Sequence, residues 1–98
     1  MPQQGTIEST ATSIYESNGF TVVRYHQTPV VRFNSMKVEL NSGGWKTSTT
    51  KTRMNQASSQ FNLGFRVFQK DFGWFVDLPN GEGVVDFKDG MSFVPYYR

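Results

Sequence analysis

From Gly43 to Arg53 the chain reads GGWKTSTTKTR: two glycines, a tryptophan, five hydroxyl residues and three cations, with no carboxylate among them. These residue types suit the capture of an anion. The first turn of a helix presents unpaired N–H groups and a partial positive charge. Glycines ahead of such a turn let a ligand approach the backbone closely. Gly43, Gly44, Thr47, Thr49 and Thr50 would then supply backbone and hydroxyl donors, and Lys46, Lys51 and Arg53 would supply charge. Trp45 or Tyr25 would offer a face on which a base stacks. His26 stands next to Tyr25, where Gln27 and Thr28 could orient it. The structural alternative is plainer. Gly43-Gly44 would only turn a strand into a helix, Trp45 would plug the core, and the hydroxyls would be ordinary caps.

Other chemistries find less support. A single histidine and no cysteine leave few nucleophile–base arrangements. The acids Asp77, Asp86 and Asp89 are scattered and read as solvated. No pair of ligands has a spacing usual for a metal, and the Gly43–Thr47 segment departs from the phosphate-loop pattern G-x-x-x-x-G-K-[ST]. The chain is therefore expected to be non-catalytic and to need no metal or cofactor.

The elements that must carry these residues follow from periodicity. FTVVRYH, VVRF and MKVEL read as strands, the last with Met36, Val38 and Leu40 inward and Lys37 and Glu39 outward. Thr50, Met54, Ala57 and Phe61 recur on one face of a helix that Ser48 or Thr49 would cap and Asn62 and Gly64 would end. Lys51, Asn55 and Ser58 share another face, read as exposed, and Arg53 points elsewhere, towards a ligand or an acid of the C-terminal half. FRVFQKD, WFVDL, GVVDF and MSFVPYY follow as short strands between turns at Phe72-Gly73, Pro79–Gly81 and Lys88–Gly90. Phe68 is expected in the core, although Arg66, Phe68 and Lys70 alternate on one strand face in the manner of a single-strand-binding surface. The expected fold is α+β, β-β-β-α-β-β-β with a last short strand conceivable, a bent antiparallel sheet of about six strands with one central helix packed across it. Residues 19–98 would form this single domain. Residues 1–18, polar and rich in Ser, Thr and Gln, would form a flexible N-terminal arm, with a short helix conceivable around Ile7 to Glu16.

Size and charge set outer bounds. Ninety-eight residues make one small domain. The N-terminus lacks a signal-peptide pattern and no apolar stretch is long enough to span a bilayer, so a soluble cytosolic protein without a membrane partner is expected. The net charge of +2 is unevenly spread. Lys46, Lys51, Arg53, Arg66 and Lys70 fall in a stretch without acids, whereas Asp71, Asp77, Glu82, Asp86 and Asp89 crowd the C-terminal part. Such halves either pair with each other or leave a basic patch for phosphates.

LNSGGWKTSTTKTRMNQ (Leu40 to Gln56), with YHQTPVVRF before it and FRVFQKDFGWFV after it, resembles a widespread family of small phage-encoded proteins, largely without an assigned activity. The resemblance runs from Tyr25 to Met91. It implies a viral origin and a host-cytoplasmic setting. By analogy it also implies a protein that binds nucleic acid, inhibits a host factor, or sequesters a nucleotide signal of bacterial immunity. A phosphorylated nucleotide held at the helix start is the leading expectation, and a homo-oligomer would help so small a chain enclose it. Single-stranded DNA or RNA is the alternative partner, and a protein-interaction module without nucleotide binding is the third.

Overall fold

A computed structural model describes residues 12–44 and 46–97. In chain order the elements are strands β1 (Thr12–Ser17), β2 (Phe20–Tyr25), β3 (Thr28–Phe33) and β4 (Val38–Leu40), then helix α1 (Ser48–Gln60). Strands β5 (Arg66–Lys70), β6 (Gly73–Leu78), β7 (Gly83–Asp86) and β8 (Met91–Phe93) follow. The α+β class holds, but the strands form two antiparallel sheets, β1-β2-β3-β4-β8 and β5-β6-β7, in place of one bent sheet of six.

Side chains of the helix explain the division. Asn55 donates through Nδ2 to the Val67 carbonyl (2.8 Å) and accepts from the Val67 amide (2.7 Å). Ser58 does the same for Phe65, its hydroxyl 2.7 Å from the carbonyl and 3.0 Å from the amide. The backbone groups that would pair β5 with another strand are thus taken by α1, which blunts the edge. Ser58 is buried and Asn55 half-buried, so the face read as exposed is the one that holds the second sheet. The chain returns to the first sheet only at β8, which pairs with β4. The Gly90 amide donates to the Leu40 carbonyl at that junction, 2.8 Å away.

Residues 12–17, expected in the arm, make strand β1 and pair with β2 along its whole length, which also excludes a helix there. Asn18-Gly19 forms the intervening turn. The rest of the arm, residues 1–11, lies outside the described residues. Between the sheets and α1 sits the core: Val23, Val31, Val38, Leu40, Met54, Ala57, Val67 and Val76 are all buried. Met36 is not in it. It lies in the Asn34–Lys37 turn, where Asn34 Oδ1 accepts from the Met36 and Lys37 amides, and it is 75% exposed. Phe68 is also displaced from the expected core. The inward positions here are Phe65, just before β5, and Val67 within it, and Phe68 lies half-buried on the opposite face beside Arg66, whose guanidinium is 5.0 Å from the Phe68 ring centroid.

Among the described residues the ion pairs are Arg32–Glu39 (2.7 Å) and Lys37–Glu39 (2.8 Å), both on the first sheet, so neither joins the basic middle to the acidic end. Hydrogen bonding from Lys37, aided by Arg32, holds the Glu39 carboxyl below the ordinary glutamate range. A carboxylate with a depressed folded pKa adds stability above its unfolded value, about 4.3, and that stability is lost as pH falls through the lower folded value. Thermal melts should therefore show wild type above Glu39→Gln at neutral pH, with the two curves converging in acid. A constant gap down to the acid limit would assign the difference to packing instead of charge.

Candidate functional site

The fold brings a hairpin tip and a helix start together. Tyr25 and Thr28 face each other at the end of the β2–β3 hairpin, leaving His26 and Gln27 as its two-residue loop. The loop thus takes in His26, read from sequence as the end of the strand FTVVRYH, and Thr28 and Pro29 open β3 ahead of the expected VVRF. His26 adopts φ +56°, a left-handed conformation that costs a side chain with a Cβ roughly 1 kcal/mol or more. Its ring stands against that of Tyr25, centroids 4.3 Å apart and planes tilted by 53°.

Facing this tip is the first turn of α1. Thr47, not Ser48 or Thr49, is the N-cap: its hydroxyl accepts from the Thr50 amide at 3.2 Å and lies 3.1 Å from the Thr50 hydroxyl. Among the described residues no acceptor engages the Ser48 and Thr49 amides, so the first turn keeps the donors expected of a helix start. Between tip and helix lies a cavity of about 420 Å³, walled by Tyr25, His26, Gln27, Thr28, Thr47 and Thr50, with Val30 and Ser42 also lining it. Its volume falls within the usual range of small-molecule pockets.

The glycines act differently from the expectation of a ligand-facing backbone. The Gly43 amide donates to Asn41 Oδ1 (2.8 Å) and the Gly44 amide to Ser42 Oγ (3.2 Å), so both donors are already used within the loop. Ser42 in turn donates its amide (2.8 Å) and hydroxyl (2.7 Å) to Asp89 Oδ1. Asp89, read from sequence as a solvated acid, ties the loop before α1 to the turn before β8. Gly43 takes φ +65°, and a Cβ placed on it would lie 2.3 Å from Thr28 Oγ1. The absent side chain lets the loop before α1 pack directly against Thr28 of the hairpin.

The remaining expected residues are dispersed. Of the eleven positions singled out, Tyr25, His26, Thr47 and Thr50 line the cavity. Thr49 and Gly44 are exposed beside it in sequence but are not among its lining residues. Lys46 reaches towards the second sheet, its ammonium 5.7 Å from the Phe87 ring centroid. Lys51 is half-buried on the helix and does not line the cavity. Arg53 packs behind the cavity wall, its guanidinium 5.6 Å from the Tyr25 ring centroid and bonded to Gln56 Oε1 at 3.0 Å. It pairs with no carboxylate among the described residues, and its buried Nε lacks a partner. Trp45 lies outside the described residues. Val30 and Ser42 were not signalled by type or spacing, since a buried valine and a loop serine carry no chemistry of their own. The position of Thr28 opposite Gly43 could be found only in three dimensions.

Fold and site together define a small α+β protein with a ligand-sized cavity at a helix start. Among its described residues no cluster of acids and histidine could hold a metal, and no helix is long and apolar enough to cross a membrane. The chain belongs to the Kyanoviridae Gp96 protein family, a phage family whose model matches residues 3–94. No curated protein and no solved structure matches it.

Proposed function

We propose that this phage protein binds a phosphorylated nucleotide in the cavity between the β2–β3 hairpin and the start of α1, without catalysing a reaction on it. The observation that carries the reading is the joining, in one cavity, of an aromatic pair and a helix N-terminus. The Tyr25 and His26 rings offer a stacking face. The Thr47 and Thr50 hydroxyls, which share one hydrogen-bonding proton between them, line the cavity, and the Ser48 and Thr49 amides that lie between them in the chain add the donors of the helix start to a phosphate. Arg53 behind Tyr25, with no carboxylate among the described residues to neutralise it, adds positive potential. In the host cytoplasm such binding would serve to sequester a nucleotide signal of bacterial immunity. The single-strand alternative is less favoured, because on the strand face that bears Arg66 and Phe68 their neighbours Asp77 and Asp86 oppose a polyanion.

Calorimetry with AMP, a cyclic dinucleotide, inorganic phosphate and oligothymidylates of increasing length tests this reading. Nucleotide binding independent of strand length is expected. His26→Gly removes half of the aromatic pair while suiting the left-handed backbone, so affinity should fall about tenfold or more with no loss of thermal stability. Lys51→Ala, outside the cavity lining, should weaken binding only slightly, through long-range charge; a loss as large as that of His26→Gly would place Lys51 at the ligand. Affinity that climbs with strand length and collapses with salt would favour the single-strand reading. Absence of heat with every probe would leave the protein-interaction reading.

A further inference from the structure

The β5–β6 hairpin turns through two residues, Asp71 and Phe72, with Lys70 and Gly73 facing each other across it. Both loop residues have positive φ, +52° and +69°. Two-residue loops of this kind favour Asn-Gly or Asp-Gly, because glycine bears the second left-handed position without strain. Here that position holds a phenylalanine whose side chain is 100% exposed. Neither backbone preference nor burial in its own chain accounts for Phe72. Next to it, the outer face of β5-β6-β7 forms a shallow concavity of about 460 Å³ lined by Phe68, Lys70, Asp71, Phe75 and Val84. The Phe68 and Phe75 rings lie 5.8 Å apart between centroids, and Val84 is 55% exposed. An apolar hollow thus lies beside an apolar knob.

We propose that this face is a two-fold interface between copies of the chain, in which Phe72 of each copy enters the hollow of the other. Knob and hollow belong to one hairpin, so a two-fold axis midway between them satisfies both contacts at once and closes the assembly as a dimer. The charges agree with this pairing. Asp71 accompanies the knob and Lys70 lines the hollow, so each entering Phe72 brings an acid to the partner's Lys70. Lys70 has no ion-pair partner among the described residues. A nucleic-acid strand fits the face poorly, since Asp71, Asp77 and Asp86 lie on or beside it. An occupant with the same self-complementary pattern of apolar knob, acid and base is a second copy.

Sedimentation equilibrium of the full chain from micromolar to millimolar concentration tests the dimer. Wild type should show a monomer–dimer equilibrium. Phe72→Gly should raise the dissociation constant about 100-fold or more, because two buried aromatic side chains are lost per dimer. At concentrations where both proteins are monomers, Phe72→Gly should melt no lower than wild type, since glycine suits φ +69°; this separates lost association from lost folding. Lys70→Asp and Asp71→Lys should each weaken the dimer, and the two together should restore it to within a few-fold. A wild type that stays monomeric at every concentration overturns the proposal. So does a Phe72→Gly protein that dimerises as wild type does, or a double swap no tighter than either single change.

Discussion

Gly43→Ala is expected to destabilise the protein by about 2–4 kcal/mol and to lower its melting temperature by about 10–25 °C. Two costs add. The alanine must hold φ +65°, and its Cβ must find room against Thr28, 2.3 Å from Oγ1, 3.0 Å from Cγ2 and 3.1 Å from Cβ. Rotating Thr28 about χ1 moves the first two atoms but leaves Cβ 3.1 Å from the new methyl, so the loop or the hairpin must still give way by a few tenths of an ångström. Because Thr28 and Ser42, on either side of that contact, both line the cavity, any binding there of the nucleotide proposed above should weaken together with stability. Thr28→Ala removes two of the three clashing atoms. The double variant should recover part of the loss while keeping the φ cost, and a double-mutant cycle by chemical denaturation reads the coupling directly. Strictly additive effects would mean that the close approach of Gly43 to Thr28 does not bear on stability.

The second large effect concerns the joint between α1 and the β5-β6-β7 sheet. Replacing Asn55 and Ser58 together by alanine should cost about 3–6 kcal/mol, comparable to the lower end of the total stability of a small domain. Four backbone groups, the amides and carbonyls of Phe65 and Val67, would lose their partners. At least the Phe65–Ser58 pair is dry, because both residues are buried, and water cannot replace those bonds freely. Native-state hydrogen exchange should show the Phe65 and Val67 amides losing protection before those of β2 and β3. The exposed neighbour Ser59, changed to alanine, should alter stability by no more than about 0.5 kcal/mol. A double variant as stable as the Ser59 control would mean that packing of Met54 and Ala57 alone holds the sheet to the helix.

Asn55 and Ser58 also show where reading from sequence stops. Period-3.6 spacing placed Thr50, Met54 and Ala57 on a buried face correctly, because apolar burial is written into residue type. It placed Asn55 and Ser58 in water, because polar side chains look solvent-bound until a strand edge with unpaired N–H and C=O groups is set beside them. The same limit applies to Asp89, whose partner Ser42 is 47 residues away in the chain. Met36 and Phe68 were misplaced for another reason. Alternation fixes which residues share a face, but not where a turn ends the strand or which face meets the core.

The α+β class, the strands β2 to β8, the helix and most turn positions were legible, since local pattern and turn chemistry specify them. Four residues of the candidate site, Tyr25, His26, Thr47 and Thr50, were legible as chemical types. Only the tertiary structure decided that they share a cavity, that Gly43 and Gly44 spend their amides within the loop, and that Lys46 turns away to Phe87. The physical reason is one of range. Periodicity, capping and turn preference act over a few residues, whereas the cavity arises where the β2–β3 hairpin meets a helix some twenty residues later in the chain. Beside that meeting, the missing Cβ of Gly43 lets the loop before the helix pack against Thr28 of the hairpin.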